Sequence, residues 1–213
     1  MKIIIALDNT SAKANIEIAS KLKNKVDGFK VNHLMWEYTD AIRDLADELF
    51  IDCKLWDTPN TISQVMKRIV SKGATMTTIS TLNNSAVFEA CENYSKDIKL
   101  LGVTYLTSWT SSELLNITNQ NAKVTWRSAI DSIKDYGFSG VICSPKDLDT
   151  VKPLAGNMLK VCPGIGNNPG QQRTVTAKEA LNMGADYIVV GRTVTNAENP
   201  VSAVEEMKES LLL

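Results

Sequence analysis

The sequence lacks the features that mark several large classes of protein. It has one histidine, His33, and four cysteines, none of them in a C-x-x-C pair or beside a histidine. Zinc sites and disulfide frameworks depend on such spacings, so we interpret the cysteines as buried free thiols in a reducing compartment. No apolar run approaches the roughly 18 residues of a membrane span, and the apolar stretch at the N-terminus is too short for a signal peptide. We therefore expect a cytoplasmic protein without membrane contact.

An excess of charge of one sign is also missing. The 213 residues carry a formal net charge of −1, and 44% of them are hydrophobic. Proteins that attract nucleic acid or anionic membranes in general carry a basic excess, so neither partner is expected, and a bound anion needs a local site. The composition is that of a globular protein, and no linker or repeat divides the chain. We interpret residues 1–213 as one domain.

What the sequence does contain is an alternation of short apolar runs with longer amphipathic stretches. The runs are Ile3–Leu7, Gly28–Val31, Leu49–Leu55, Thr75–Ile79, Leu100–Tyr105, Gly140–Cys143, Met158–Cys162 and Tyr187–Val190. Runs that are apolar throughout suit strands covered on both faces, as in parallel sheets. Eight such strands with helices between them predict an α/β fold, a closed (β/α)8 TIM barrel. An open doubly wound sheet is the rival, but no G-x-G-x-x-G follows the first run.

Charged residues gather where the first three predicted strands end. Asp52 and Lys54 lie two residues apart, so they share one face of the third strand, and Asp57 follows that strand. Asp8 ends the first strand and Lys30 ends the second. Barrel enzymes place their chemistry at this end, so five charges of alternating sign are expected around one mouth. A structural ion pair is the alternative for Asp52 and Lys54, but buried charges are rarely incidental.

Two loops near the C-terminus predict a phosphate site. A glycine-rich loop follows the seventh strand from Pro163 onward, and Gly191-Arg192 follows the eighth. Loops in these two places commonly hold phosphate through backbone N–H groups and a helix N-terminus, and Arg192 would add a charge-assisted contact. The residues therefore predict an enzyme that acts on a small phosphorylated substrate.

Along nearly its whole length the chain resembles the orotidine 5′-monophosphate decarboxylase family, which belongs to a suprafamily of barrels with sugar-phosphate decarboxylases and synthases. The most specific match is Asp52-x-Lys54-x-x-Asp57 continuing into Pro59-Asn60-Thr61. Further matches are Ala6-Leu7-Asp8, the strand end at Lys30, Val103–Ser108, Pro163-Gly164-Ile165, Gln171 and Gly191–Thr195.

The resemblance implies a cofactor-free and metal-free decarboxylase that converts orotidine 5′-monophosphate (OMP) to UMP and CO2, the last step of de novo UMP synthesis. It implies that Lys30, Asp52, Lys54 and Asp57 form the catalytic charge network and that Lys54 protonates C6. Asp57 and Thr61 would reach into the neighbouring subunit's site, so the active unit would be a homodimer. The implied substrate contacts are Asp8 to the ribose, Thr107 or Ser108 to the pyrimidine, Gln171, Gly191 and Arg192 to the phosphate, and Pro163 nearby.

The sequence departs from the family pattern at some positions. Trp56 stands where the family often has histidine, Thr58 where an apolar residue is usual, and Thr78–Thr81 where a histidine often follows the fourth strand. Two alternatives remain. The first is a magnesium-dependent 3-keto-gulonate-phosphate decarboxylase or hexulose-phosphate synthase, although such enzymes typically carry an acid at the position of Lys30. The second is a non-catalytic nucleotide-binding barrel.

Overall fold

In the computed structural model, which describes residues 1–166 and 174–212, eight parallel strands close into a barrel. The strands follow one another around the barrel in chain order, and β1 closes it by pairing with β8. They are β1 (Lys2–Ala6), β2 (Gly28–Val31), β3 (Glu48–Leu55), β4 (Met76–Ser80), β5 (Lys99–Val103), β6 (Gly140–Ile142), β7 (Leu159–Pro163) and β8 (Tyr187–Val190). Each apolar run of the sequence contributes one strand, so the predicted (β/α)8 barrel is confirmed.

Helices connect the strands and cover the outside of the barrel. They are α1 (Ala12–Lys21), α2 (Pro59–Ser71), α3 (Ser85–Glu92), α4 (Ser111–Thr118), α5 (Ala122–Ile133), α6 (Leu148–Ala155), α7 (Ala177–Met183), α8 (Arg192–Thr195) and α9 (Pro200–Leu212). Polar residues begin many of them; for example, the Thr176 side chain accepts the backbone N–H of Glu179, which starts α7. In the described part of the chain, no helix has both the length and the apolar character that crossing a membrane requires.

The connection between β2 and β3 differs from its amphipathic sequence pattern. An apolar stripe from Ala41 to Ala46 suits an α-helix, but the structure has two 3₁₀ helices, Trp36–Ala41 and Arg43–Leu45. The N–H of Ile42 bonds the carbonyl of Thr39, and that of Leu45 bonds Ile42, so each step spans three residues. In a 3₁₀ helix, side chains three residues apart, such as those of Ile42 and Leu45, lie on the same side. The same apolar spacing is therefore compatible with the 3₁₀ helices that the structure has here.

Two apolar layers fill the molecule. The inner layer lies inside the barrel and contains Ile4, Ala6, Phe50, Met76, Leu101, Val103, Ile142, Val161, Tyr187 and Val189. The outer layer lies between the strands and the helices. Glu48, Phe50 and Asp52 alternate along β3, so this one strand contributes a charged residue below the inner layer, a ring within it and a charged residue above it.

Four polar side chains meet at the N-terminal end of the barrel, and we call them the base cluster: Lys2, Glu48, Lys99 and Tyr187. The Glu48 carboxylate accepts hydrogen bonds from Lys2 Nζ at 2.9 Å, Lys99 Nζ at 3.0 Å and Tyr187 OH at 3.0 Å. Burial works to raise the pKa of Glu48, but hydrogen bonds from Thr75, Lys2 and Lys99 outweigh it and bring this pKa to about 2. Glu48 is therefore a charged residue at neutral pH, enclosed by its partners.

Candidate active site

Four charged side chains form a chain of ion pairs at the C-terminal end of the barrel, and we call them the mouth cluster: Asp8, Lys30, Asp52 and Lys54. Lys30 Nζ lies 3.0 Å from Asp8 Oδ1 and 3.5 Å from Asp52 Oδ2. Lys54 Nζ lies 2.9 Å from both Asp52 oxygens. The signs alternate along this chain; Lys30 lies in β2, Asp52 and Lys54 lie in β3, and Asp8 follows the end of β1.

Asp52 is the buried centre of the mouth cluster. Its burial works to raise the pKa of the carboxyl, but the charges of Lys30 and Lys54 and hydrogen bonds from Lys54 and Thr78 hold this pKa below its usual value. Lys30 is equally buried, with 10% of its side chain exposed, whereas 42% of the Lys54 side chain is exposed. Lys54 is thus the cation that a ligand above the barrel can reach.

The backbone of β3 departs from regular strand geometry at Lys54. Its φ is +48°, a left-handed conformation that a residue with a side chain adopts only at some cost. Ile51 pairs with Thr77 and Leu55 pairs with Ile79, so four steps along β3 match only two along β4. Such bulges lie often beside active sites, where they re-aim a side chain. Asp52 and Lys54 still share the barrel face, whereas Cys53 and Leu55 pack in the outer layer.

Thr78 on β4 is a site residue that sequence reasoning did not single out as a contact of the charged residues. Its hydroxyl donates to Asp52 Oδ1 at 2.8 Å and accepts the backbone N–H of Lys54 at 2.9 Å. Thr78 is fully buried. The sequence gives a weak signal for it, because a polar residue lies inside an apolar strand at the same level as Asp52, but only the fold shows which residues meet.

A cavity of about 280 Å³ opens above the mouth cluster, a size that suits a small metabolite. Eight residues that the sequence proposes for the site line it: Asp8, Lys30, Asp52, Lys54, Thr107, Ser108, Pro163 and Gly191. Its floor is apolar and includes Phe50, Ile142 and Val189. The cavity therefore offers charge on one side, hydroxyl groups on another and an apolar floor.

Aromatic residues hold the loop that carries Thr107 and Ser108. Trp126 Nε1 donates to Tyr105 OH at 2.9 Å, and the Tyr105 ring stacks on Trp109 with 6.4 Å between ring centroids. Both Tyr105 and Trp126 are buried, and Tyr105 also lines the cavity. Buried aromatic contacts of this kind restrict the loop, so Thr107 and Ser108 face the cavity from a fixed support.

The loops after β7 and β8 lie at the opposite side of the cavity. Arg192 begins α8 in a depression that shares Asp8 and Gly191 with the main cavity. Gly166 has a φ of +101°, and a Cβ on it would collide with the Thr193 side chain, so the β7 loop passes tightly against the β8 loop. Gln171 and much of the glycine-rich loop that follows Pro163 fall outside the described residues.

Asp57 and Thr61 do not join the mouth cluster within the described chain. Both are exposed. The Asp57 carboxylate accepts the backbone N–H of Thr58 at 2.6 Å, and Thr61 shares a hydroxyl contact with Thr58 at 3.1 Å. Of the five charges expected around one mouth, the structure brings together four, and the Asp57 carboxylate instead faces the N–H of Thr58 at the start of α2.

Other chemistries have little support among the described residues. Between residues 1 and 166 and between 174 and 212, no group of three or more His, Cys, Asp and Glu side chains is arranged to hold a metal ion. Burial, aided by the Asp52 charge, raises the pKa of the Cys53 thiol to about 11, which makes it a poor nucleophile. His33 is exposed in the loop after β2, as the sequence predicts.

Comparisons with known proteins identify the family and the fold of the chain. The model of the family described as orotidine 5′-phosphate decarboxylase / HUMPS matches residues 1–207. A protein of Wolbachia pipientis subsp. Culex pipiens named orotidine 5′-phosphate decarboxylase is 34% identical over 98% of both chains. The crystal structure of orotidine 5′-phosphate decarboxylase from Lactobacillus acidophilus superposes with a TM-score of 0.84 at 30% identity, covering 100% of this chain and 99% of that one. The corresponding structure from Pyrococcus horikoshii gives 0.81 at 26% identity, covering 99% of each. The chain therefore belongs to the orotidine 5′-phosphate decarboxylase / HUMPS family.

Proposed function

We propose that this protein is an orotidine 5′-monophosphate decarboxylase, which converts OMP to UMP and CO2 without a metal or cofactor. The observation that carries the proposal is the mouth cluster, in which a solvent-facing lysine lies 2.9 Å from a buried carboxylate at the floor of a cavity. The chain's membership of the family and the decarboxylase names of its relatives support the same activity. We further propose that residues 1–213 form a single domain and that this domain carries the decarboxylase activity.

The reaction breaks the bond between C6 of the pyrimidine and its carboxylate, and the electron pair stays on C6. Lys54 Nζ then donates a proton to C6, which gives UMP, and the neutral amine regains a proton from solvent. Asp52 holds the Lys54 ammonium group in place at 2.9 Å, and Lys30 contacts the same carboxylate at 3.5 Å, so the charge on C6 develops next to a prearranged cation. Repulsion between Asp52 and the departing carboxylate would contribute in the same direction.

The other proposed site residues would contact different parts of the substrate along the cavity. Asp8 would face the ribose, Thr107 and Ser108 the pyrimidine, and Gly191 and Arg192 the phosphate, with Pro163 at the cavity wall; these residues line the two depressions. The family resemblance adds Gln171 to the proposed phosphate contacts. Arg192 and the mouth cluster border adjoining depressions, which suits a ligand with its phosphate at one end and its reacting carbon at the other. Binding energy from the phosphate would then help to lower the barrier at C6.

The magnesium-dependent reaction of the same family is the main rival. Lys30 weighs against it, because its ammonium group lies 3.0 Å from Asp8 and 3.5 Å from Asp52 and so stands between two carboxylates that a metal ion would need. The test is to mix the protein with OMP and EDTA and to follow the loss of orotate absorbance. We expect turnover that EDTA leaves unchanged. No turnover by a protein whose circular dichroism shows an intact fold would refute the proposal, and turnover of a keto-sugar phosphate that requires magnesium would support the rival.

We also propose that the active unit is a homodimer in which Asp57 and Thr61 complete the partner's site. The loops that follow four consecutive strands each expose a large apolar side chain near the strand end, at Leu34, Trp56, Leu82 and Leu106, so this side of the mouth carries exposed apolar surface. Asp57 and Thr61 lie exposed on that same side, beside Trp56. A second copy of the chain would cover this surface in a twofold arrangement.

Mixed dimers test the shared site. Lys54→Ala and Asp57→Ala homodimers should each be nearly inactive, because every site lacks one residue. When the two variants are unfolded together and refolded, about half of the dimers are mixed, and each mixed dimer has one complete site, so roughly a quarter of wild-type activity should return. Activity that stays at the level of the parents would contradict sharing of Asp57.

We place the protein in the cytoplasm. The four cysteines, Cys53, Cys91, Cys143 and Cys162, are all free thiols in the structure, and Cys143 Sγ lies 3.8 Å from Cys162 Sγ without a bond between them. Persistent free thiols suit a reducing compartment. Cell fractionation with an antibody to the protein should recover it with cytoplasmic markers; recovery with secreted or membrane fractions would contradict this placement.

A further inference from the structure

The bulge in β3 takes Lys54, the proposed proton donor, out of the regular pairing with β4. Between Ile51 and Leu55 the pairing with β4 shifts by two residues, so the backbone N–H of Lys54 cannot bond a β4 carbonyl in the ladder. A buried N–H without a partner is costly, and the left-handed φ of Lys54 adds to that cost. Something outside the regular ladder must therefore stabilise this conformation.

The Thr78 hydroxyl fills this role in the structure. An N–H group can only donate, so the Thr78 oxygen accepts from Lys54, and the single hydroxyl proton is left for Asp52 Oδ1 at 2.8 Å. One buried group thus contacts both the backbone of Lys54 and the carboxylate that its ammonium group contacts. The Thr78 oxygen is therefore the acceptor for the Lys54 N–H, and the Thr78 O–H is the donor to the Asp52 carboxylate.

We propose that Thr78 is a positioning residue for the decarboxylation: it holds the bulge of β3 in the conformation that points Lys54 Nζ into the cavity and keeps the Asp52 carboxylate oriented toward Lys54. This inference rests on the proposed function, since it assigns Lys54 as the proton donor. Thr78 lies under the cluster and acts through Lys54 and Asp52, without being one of the residues that line the cavity.

The next residue on the strand provides a matched control. Thr77 is also fully buried, and its hydroxyl also bonds the backbone of β3, donating to the Ile51 carbonyl at 2.8 Å. It contacts neither Asp52 nor Lys54 through that hydroxyl. Thr77→Val and Thr78→Val therefore remove the same group from the same strand at the same depth, and they differ in whether the lost hydrogen bonds belong to the mouth cluster.

The experiment compares Thr78→Val, Thr78→Ser and Thr77→Val in steady-state assays with OMP. For Thr78→Val we expect kcat to fall about ten- to a hundredfold while KM changes little, because misplacing a catalytic group by about 1 Å costs this much. Thr78→Ser keeps the hydroxyl and should recover most of the rate. Thr77→Val should lose stability but keep kcat within about twofold of wild type. Equal losses of kcat in the two valine variants, or an unchanged kcat in Thr78→Val, would overturn the proposal.

The pH profile provides a readout that a purely structural role would not change. Asp52 faces Lys30 of β2, Lys54 of its own strand and Thr78 of β4, and Asp8 of β1 lies on the far side of Lys30. Losing a hydrogen bond to the charged form of Asp52 raises its pKa, so the acid limb of kcat/KM should move to higher pH in Thr78→Val and not in Thr77→Val.

The same titration can be followed without substrate, by carbon NMR of the labelled Asp52 carboxyl. A higher midpoint in Thr78→Val is expected, and an unchanged midpoint would overturn the proposal whether or not the protein turns over OMP. By contrast, a wild-type protein that does not turn over OMP at all would refute the proposed function. Failure of the Thr78 proposal is therefore seen in the Asp52 titration, and failure of the proposed function is seen in the wild-type assay.

Discussion

The two ends of the barrel each hold a buried carboxylate between two lysines, yet they differ in what surrounds the lysines. At the base, Glu48 is enclosed by Lys2, Lys99 and Tyr187, and all of them direct their polar groups at Glu48 itself. At the mouth, Asp52 lies between Lys30 and Lys54, and Lys54 borders an open cavity. The same pairing can therefore serve stability at one end and chemistry at the other.

The kinds of residue in a cluster do not by themselves identify a catalytic group. Lys54 and Lys99 are similarly exposed, at 42% and 35% of the side chain, and each lies about as close to its carboxylate, at 2.9 and 3.0 Å. What separates them is the cavity above Lys54, the strained backbone of Lys54 and the additional acid Asp8 behind Lys30. Barrel enzymes place catalytic residues at the C-terminal end of the strands and stabilising residues at the opposite end.

The largest expected difference between the two ends is in turnover. Lys54→Ala should lower kcat on the order of a thousandfold or more, because the proton donor for C6 is lost, while binding of UMP stays largely intact. Lys99→Ala is the matched control, since it removes a lysine from the other buried carboxylate, and its kcat should stay within about twofold of wild type. Steady-state assays and UMP titration by calorimetry measure both. Substantial activity in Lys54→Ala would show that the proton comes from elsewhere.

The next difference is in stability, and it depends on pH. Glu48→Gln should lower the free energy of unfolding by about 2–3 kcal/mol at neutral pH, because Lys2 and Lys99 lose the charge that they surround, while turnover is kept. The pKa of Glu48 is lowered in the folded protein from 4.5 to about 2, so its contribution is complete above about pH 5 and declines as the pH falls toward about 2.

Urea unfolding of wild type and Glu48→Gln across this range checks the sign. The difference between their unfolding free energies should shrink on acidification, since the other acids of the protein cancel in the comparison. A difference that stays constant down to about pH 2 would mean that Glu48 is not held ionised by the base cluster.

The smallest expected effect is the coupling between the two ends. Glu48 and Asp52 are four residues apart on one strand, or roughly 13 Å, and Phe50 lies between them. The changes in unfolding free energy caused by Glu48→Gln and Lys54→Ala should therefore add to within about 0.5 kcal/mol in the double variant. A larger deviation in urea unfolding would show that the strand transmits strain from one cluster to the other.

Much of the fold and part of the site can be predicted from the sequence, for reasons that particular residues make clear. Most strands consist largely of apolar residues on both faces, so runs such as Tyr187–Val190 are visible without any knowledge of their neighbours. Asp52 and Lys54 stand out because they interrupt such a run. Glu48, by contrast, precedes the apolar run that begins at Leu49, where a charged residue resembles an ordinary strand flank.

What the sequence could not give is which distant side chains meet. The partners of Glu48 come from β1, β5 and β8, and the partner of Asp52 on β4 is a threonine 26 residues away. The bulge at Lys54 is equally hidden, because its cost is offset by a hydroxyl from another strand. The apolar stripe from Ala41 to Ala46 likewise does not tell an α-helix from the 3₁₀ turns that the structure has there.

The apolar layer inside the barrel decides where the catalytic proton is replenished. Phe50 is almost fully buried between Glu48 and Asp52, within a layer that also contains Ile4, Met76, Leu101 and Val161. Proton relay needs a continuous series of hydrogen-bonding groups or waters, and a close-packed hydrocarbon layer interrupts it. In the proposed mechanism, the proton that Lys54 gives up in each cycle would therefore return from the solvent above the mouth, through the opening by which CO2 and UMP would leave.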